Sequence, residues 1–326
     1  MGFEGKKILI TGGAGFIGSN LAHRMVKEGA HVEILDSMID GYGANLYNLE
    51  GIEDKIHINF SDMRDEHTLQ YIVRDKDYIF HLAGQVSHQD SMKSPFMDLA
   101  VNARGTLALL EACRNNAPNA ILVYASTRQI YGRPQYLPVD EKHPVSPPDV
   151  NGINKLAAEN YMQLYAKVYG MHTVSLRLTN TYGPRQLIRN ARQGVIGWFV
   201  NRAILGEPIE LYGGGEQLRD FNYVDDVIEA MCVAAQNTKT FGNVYNLAGE
   251  RANLKNVAEI LICNTGKGCL RIIPFPEERK KIDIGDFYGD SSLFENITGW
   301  KTTTTLEMGL KSMVDYYKEN LRYYVD

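Results

Sequence analysis

A chain of 326 residues, 44% hydrophobic and 22% charged, is long enough to bury one large α/β core, or two intimately joined units, without disulfides. A net charge of -5 with no basic block argues against a nucleic-acid partner, and no apolar run reaches membrane-spanning length. The four cysteines, Cys113, Cys232, Cys263 and Cys269, form no Cys-x-x-Cys pair and stand near no histidine cluster at zinc spacing. No metal is therefore expected, and all four read as reduced, buried thiols of a cytoplasmic protein.

Residues 1–20 run from a short polar start straight into a strand and a glycine turn, unlike a signal peptide. Short β-rich runs at Lys7–Thr11, Val32–Asp36, Ile56–Asn59, Tyr78–Leu82, Ile121–Ala125 and Thr173–Leu178 read as buried strands. Between them, Ile17–Glu28, Met97–Asn115 and Ile153–Tyr169 carry apolar residues at helical period. This alternation predicts an α/β fold, a doubly wound parallel sheet of Rossmann type with right-handed crossovers. From about residue 178 the alternation turns irregular, with Gly213-Gly214-Gly215, a loop around Pro274 and Pro276, and shorter helices. The expectation is a Rossmann domain over 1–178 and a smaller, mainly substrate-binding lid over 179–326, with Val244–Leu247 returning to the large sheet as a strand.

The first chemical motif, Thr11-Gly12-Gly13-Ala14-Gly15-Phe16-Ile17-Gly18, directly follows the first strand and opens the first helix. Gly12 permits the tight turn, Gly15 lets the backbone approach a pyrophosphate, and Gly18 allows close helix–strand packing. The helix N-terminus adds amide donors and a positive dipole end. Asp36 closes the second strand, where a carboxylate accepts hydrogen bonds from an adenosine ribose and repels a 2′-phosphate, so NAD is expected rather than NADP.

Further along stand Asp62-Met63, His81-Leu82-Ala83-Gly84, Asn102, Ser126-Thr127 with Tyr131-Gly132, Lys155, Arg177 through Pro184, Arg219-Asp220-Phe221 and Asp225-Asp226. In order and spacing, and over nearly the whole chain, these residues resemble the extended short-chain dehydrogenase/reductases, specifically the NAD-dependent nucleotide-sugar epimerase/dehydratase family. Gln85-Val86 and Gln193-Gly194-Val195-Ile196-Gly197-Trp198-Phe199 are most similar to CDP-tyvelose/CDP-paratose 2-epimerases, with UDP-glucose 4-epimerases also near.

The resemblance implies roles residue by residue. Gly12, Gly15, Phe16, Ile17 and Gly18 would hold the NAD pyrophosphate, Asp62 and Met63 the adenine, and Leu82, Ala83 and Gly84 would pass under the cofactor. Lys155 would hold the nicotinamide ribose, and Thr127 would hydrogen-bond the reacting sugar hydroxyl. Asn180 and Arg219 would lie against the diphosphate of a nucleotide sugar, where a planar guanidinium suits phosphate oxygens. Gln85, Ser87 and Arg128 fall with the substrate, and Asn102 takes a structural or water-binding place. A homodimer is implied too, because Met97–Asn115 and Ile153–Tyr169 resemble the helices of the family's four-helix interface.

Two departures stand out. The family's active-site helix opens with Tyr-x-x-x-Lys, but Asp149-Val150-Asn151-Gly152-Ile153-Asn154-Lys155 puts Asn151 at the tyrosine position, and the nearest downstream tyrosine, Tyr161, lies beyond the lysine. A tyrosine between a lysine and an oxidised nicotinamide takes a hydroxyl proton; an asparagine amide cannot ionise. His88, Asp90, Arg128 and Lys155 are candidates to replace it, His88 foremost because imidazoles titrate near neutrality. The second departure is Asp283, before Gly285-Asp286, where many members carry another diphosphate arginine. Arg279, Lys280 or Lys281 either substitute for it or form a solvated face.

After Thr127, the family's 4,6-dehydratases carry Asp-Glu, the pair that removes water across C5 and C6. Arg128 and Gln129 stand here, so elimination lacks its acid and base. Epimerisation needs only reversible hydride transfer to tightly held NAD and rotation or proton exchange of the keto sugar. The expected function is an NAD-dependent nucleotide-sugar epimerase. A net dehydrogenase releasing NADH and a non-catalytic nucleotide-sugar-binding homologue are the alternatives.

Overall fold

Strands whose side chains are apolar on both faces must be covered on both faces. In β1 (Lys7–Thr11), Ile8 and Ile10 join one buried cluster and Leu9 the other, the period-2 signature of a sheet between two helical layers. The computed structural model describes residues 2–191, 194–277 and 283–325. Its large sheet is built from β1, β2 (His31–Leu35), β3 (Ile56–Asn59), β4 (Tyr78–His81), β5 (Ile121–Thr127), β6 (His172–Leu178) and β10 (Val244–Leu247). All pair in parallel, in the order β10-β6-β5-β4-β1-β2-β3. The doubly wound Rossmann sheet expected from the alternation is therefore present. The strand order reverses between β1 and β4, and the crevice beyond the carboxyl ends of these two strands is where such folds receive ligands.

Helix α1 (Phe16–Lys27) lies on one face of the sheet, while α2 (Glu66–Ile72), α5 (Gly105–Asn116) and α6 (Val150–Tyr169) cover the other. The helical period over Met97–Asn115 corresponds to a composite: α4 (Pro95–Asp98), a π-helical stretch over Leu99–Arg104, then α5. Before it, α3 (His88–Lys93) follows the β4 loop. Asp149 caps α6 by accepting from the Gly152 N–H at 2.8 Å, and Gly170 ends the helix in the left-handed region at φ 70°.

After β6 the chain forms β7 (Asn180–Tyr182), α7 (Val195–Leu205), β8 (Pro208–Tyr212), β9 (Leu218–Tyr223) and α8 (Val224–Gln236). Beyond β10 come β11 (Glu250–Asn253), α9 (Leu254–Thr265), β12 (Cys269–Ile273), α10 (Ser292–Thr298) and α11 (Leu306–Asn320). Strand β9 pairs with β7 and β11, and β8 with β12. The helices here are not uniformly short: α8 has 13 residues and α11 has 15. After residue 178 the chain also rejoins the first half: α8 packs against α1, β5 and β6, and β10 extends the large sheet. The cysteine expectation needs correcting. Cys113 and Cys232 are buried, but Cys263 lies on an exposed position of α9, away from its buried Val257, Ala258 and Leu261, and Cys269 opens β12, which among the described residues pairs with β8 alone and leaves much of its surface open. Among the described residues, no helix is long and apolar enough to cross a membrane and no group of three metal-ligating side chains converges.

Candidate active site

The crevice at the β1/β4 reversal opens into a cleft of about 830 Å³ that receives residues from both halves of the chain. At the β1/β4 end of the cleft lie Gly12, Gly15, Phe16, Ile17, Gly18, Asp36, Asp62, Met63, Leu82, Ala83 and Gly84. Gly12 sits at φ 69°, and a Cβ there would come within 2.8 Å of the Ala83 backbone. A Cβ on Gly84 would fall 2.7 Å from Asn102 Oδ1 and 3.0 Å from Lys155 Nζ, so any side chain would close the passage between them. Asp36 accepts from the Ala14 and Met38 N–H groups, each at 3.0 Å. Burial raises its carboxyl above the ordinary range, and these two donors hold it back. Asp62 grips Arg64 in a two-pronged pair at 2.8 and 2.7 Å, a partner that no motif announces.

On the opposite wall, Thr127, Asn151, Lys155 and His88 line the same cleft. Asn151 is 2% exposed, and its Nδ2 donates to the Gln85 carbonyl at 2.7 Å and to Asp98 Oδ2 at 3.0 Å, with Gln85 Oε1 at 3.3 Å. Asn154 Nδ2 donates to the other Asp98 oxygen at 2.8 Å, and Asn102 Nδ2 reaches the same Gln85 carbonyl at 3.0 Å. The amide at the tyrosine position is thus a structural clamp on a wholly buried carboxylate. Asn102 Oδ1 remains buried without a partner.

One turn after Asn151, Lys155 Nζ donates to the Ala125 carbonyl at 3.1 Å and lies 5.0 Å from the Tyr124 ring centre. Burial pulls its ammonium down to about 8, with Asp98 opposing. Thr127 ends β5, and its Oγ1 accepts from the Gln129 N–H at 3.2 Å. Gln129 Nε2 in turn donates to Asp149 Oδ2 at 2.8 Å, and His88 Nδ1 stands 3.1 Å from that same oxygen. Ser87 caps α3, accepting from the Asp90 N–H at 3.2 Å, and Gln85 Nε2 donates to the Ser87 carbonyl at 2.9 Å. Both shape the turn that carries His88.

Arg128, Asn180 and Arg219 line another part of the cleft. Arg128 Nη2 donates to Asn180 Oδ1 at 3.2 Å, its guanidinium lies 4.9 Å from the Phe287 ring centre, and its buried Nη1 has no partner. Burial and neighbouring Arg219 lower Arg128 to about 10, which leaves it charged at neutral pH. Arg219 donates to the Leu218 and Gly285 carbonyls at 2.8 and 2.5 Å, and Asp283 Oδ1 lies 3.7 Å away. Asp283 therefore cannot replace an arginine; it partly neutralises one. Arg279, Lys280, Lys281 and Gln193 lie outside the described residues. Behind the cleft, Arg177 ties Glu159 (Nη2 to Oε1, 2.5 Å) to the Tyr131 hydroxyl, and Ser126 Oγ donates to Glu159 at 2.8 Å.

Asp98 and Asn154 carry no sequence signal for these positions, whereas Asp149 is legible as a helix cap, an Asx residue just ahead of a helical period. Phe287, which floors the Arg128 guanidinium, falls in the irregular C-terminal stretch and has no motif around it.

The profile of the GDP-mannose 4,6-dehydratase family matches residues 9–313. CDP-paratose 2-epimerase of Salmonella typhi is 30% identical over 340 aligned residues, covering 95% of this chain and 98% of that protein. An epimerase of Methanothermobacter thermautotrophicus superposes with a TM-score of 0.91 at 26% identity, covering 98% and 94% of the two chains. The UDP-glucose 4-epimerase of Thermus thermophilus, solved in complex with NAD, gives 0.85 at 30% identity, covering 96% and 99%. Matched in sequence and in fold along nearly its whole length, the chain belongs to the GDP-mannose 4,6-dehydratase family, nucleotide-sugar epimerases and dehydratases within the extended short-chain dehydrogenase/reductases.

Proposed function

We propose that this protein is an NAD-dependent nucleotide-sugar epimerase that keeps its cofactor bound and works through a transient keto sugar. The observation that carries the reading is the single cleft in which the glycine turn, Asp36, Thr127 and Lys155 face the arginines Arg128 and Arg219. The residues fit a dinucleotide: the positions where a Cβ would intrude, Gly12 and Gly84, are open backbone on the cofactor side, and Asp36 keeps lone pairs for a ribose. Bound NAD would take up and return hydride at a carbinol carbon of the sugar. Asp36 would hold the adenosine ribose and Lys155 the nicotinamide ribose. Thr127 would hydrogen-bond the reacting hydroxyl, and Arg219, with Asn180, would meet the diphosphate.

Epimerisation is favoured over dehydration because the two side chains after Thr127 are otherwise engaged. Gln129 is bound to Asp149 and Arg128 leans on Asn180 and Phe287, so no acid and base face the sugar from there. A homodimer belongs to the same proposal. Ile153, Leu164 and Val168 on α6, with Phe96 and Leu99, leave an exposed apolar face that a second copy would cover.

The test is a screen of UDP-, CDP-, GDP- and dTDP-sugars by NMR of the sugar ring, together with mass analysis of the cofactor released on denaturing the purified protein. Co-purified NAD and a changed ring-proton pattern are expected. Free NADH accumulating with an oxidised sugar would convert the assignment to a dehydrogenase, and tight binding with no change to any sugar would make the protein a non-catalytic homologue.

A further inference from the structure

We propose that His88 and Asp149 form the acid/base pair of this site, with His88 as the proton carrier and Asp149 as its positioning residue. The proposal rests on the epimerase reading. A carbinol cannot lose hydride unless its O–H proton also leaves, and the amide of Asn151 is committed to Gln85 and Asp98 as a donor. Another group must accept that proton. Lys155 Nζ is the nearest rival in sequence, but it donates to the Ala125 carbonyl and, while it carries its proton, has no lone pair to offer.

The His88 side chain is 38% exposed and lines the cleft, while the Asp149 carboxylate behind it is 0% exposed. Three elements grip that carboxylate. Oδ1 accepts from Gly152 N–H at the start of α6, Oδ2 accepts from Gln129 Nε2 in the turn after Thr127, and His88 Nδ1 at the start of α3 lies 3.1 Å from Oδ2. Burial pushes the Asp149 carboxyl up, yet His88, Gly152 and Gln129 together hold it below the ordinary range, so the charge facing the imidazole persists. The His88–Asp149 contact is short but out of line for a full hydrogen bond. Such contacts in ligand-free sites tighten when substrate orders the group.

A fixed carboxylate at Nδ1 keeps the imidazole proton on Nδ1 and leaves the Nε2 lone pair for the substrate. The sugar O–H bond would then break with its proton going to Nε2 as the C=O bond formed, the carbon-bound hydrogen leaving with its electron pair for the oxidised nicotinamide that the cleft would hold. The imidazolium so formed would be stabilised by Asp149 and would give its proton back to the sugar oxygen as hydride returned to the opposite face of the carbonyl carbon, which gives the epimer. Gln129 couples this pair to the hydroxyl-binding residue. Its side chain holds Asp149 while its own N–H donates to Thr127 Oγ1 at 3.2 Å.

Nitrogen NMR of histidine-labelled protein, with His88 assigned through His88→Asn, reads the tautomer directly. Wild type is expected to hold His88 as the Nδ1–H form, and Asp149→Asn to release it towards the Nε2–H form of a free imidazole. Asparagine caps helices as well as aspartate, so α6 stays capped in that variant and an unchanged melting temperature checks it. On the sugar that turns over, His88→Asn should lower kcat roughly 10²–10⁴-fold with NAD still bound, and Asp149→Asn at least about tenfold. An Nε2–H tautomer in wild type that Asp149→Asn leaves alone overturns the pair. Full turnover by His88→Asn, with loss only in Lys155→Met, overturns it too and hands the role to the lysine while the epimerase reading survives. If wild type turns over no sugar, the epimerase reading fails and takes this catalytic role with it.

Discussion

Asn151→Ala removes a clamp rather than a catalyst, and the size of its effect follows from what it leaves behind. The side chain is 2% exposed and supplies one of the two amide donors to Asp98, itself at 0% exposure; only Asn154 remains, at 2.8 Å. The Gln85 carbonyl keeps Asn102 at 3.0 Å and so loses less. A hydrogen bond to a charged acceptor contributes roughly 1.5–3 kcal/mol, and a half-satisfied buried carboxylate adds desolvation that is no longer offset, so the variant should unfold about 2–4 kcal/mol more easily. Asn151→Asp should be worse, because it sets a second carboxylate about 3 Å from the first. Asn151→Tyr gains nothing: a phenol turned into the cleft abandons Asp98 as fully as alanine does. Urea unfolding followed by Trp198 and Trp300 fluorescence measures all three. Asn151→Ala within about 0.5 kcal/mol of wild type, or an Asn151→Tyr protein that is both stable and faster, would refute the clamp.

Lys155 makes stability depend on pH in a stated direction. Its folded value, lowered from 10.5 to about 8 by burial, means that the charge penalty is full below pH 8. It is relieved between about pH 8 and 10.5, where the folded chain has lost a proton the unfolded chain still holds. Relative to Lys155→Met, wild type should gain on the order of 3 kcal/mol across that window; a difference flat in pH contradicts the buried ammonium. Asp36 should make wild type bind NAD far more tightly than NADP in calorimetric titration, and Asp36→Ala with an arginine added nearby should shift the preference. Equal wild-type affinities would sink the ribose assignment. Phe96, 83% exposed beside the α6 stripe, should lie in the dimer interface, so Phe96→Asp should halve the mass seen by light scattering. A monomeric wild type would show that face to be solvated.

The five inner strands were legible because buried parallel strands must be nearly continuous apolar runs, and the glycine turn because its backbone tolerates no Cβ at Gly12; Ile56–Asn59 was expected to be buried too, but as β3 it is an edge strand with no buried residue. The missing tyrosine was legible by spacing alone. What replaced it was not, since Asn151 meets Asp98 from 53 positions away and only the fold brings them together. Asp283 could be recognised as the wrong charge for a phosphate ligand. That it would face Arg219 instead depends on how β9 and the segment after residue 282 meet. Cysteine exposure depends likewise on packing, for nothing in the local pattern at Cys269 says that β12 has a single strand neighbour.

Strand β10 is supplied by a segment more than sixty residues beyond β6, yet it shields that strand along Ser175–Leu178. A chain stopped at residue 178 would bare the edge of β6, whose unpaired N–H and C=O groups invite strangers to dock in register. It would also strip α8 from one face of β5 and β6. The glycine-turn half is therefore no portable module: grafted elsewhere or expressed alone, it should self-associate through that edge, and nature's freedom to swap the substrate-facing part is limited to insertions that still bring β10 home.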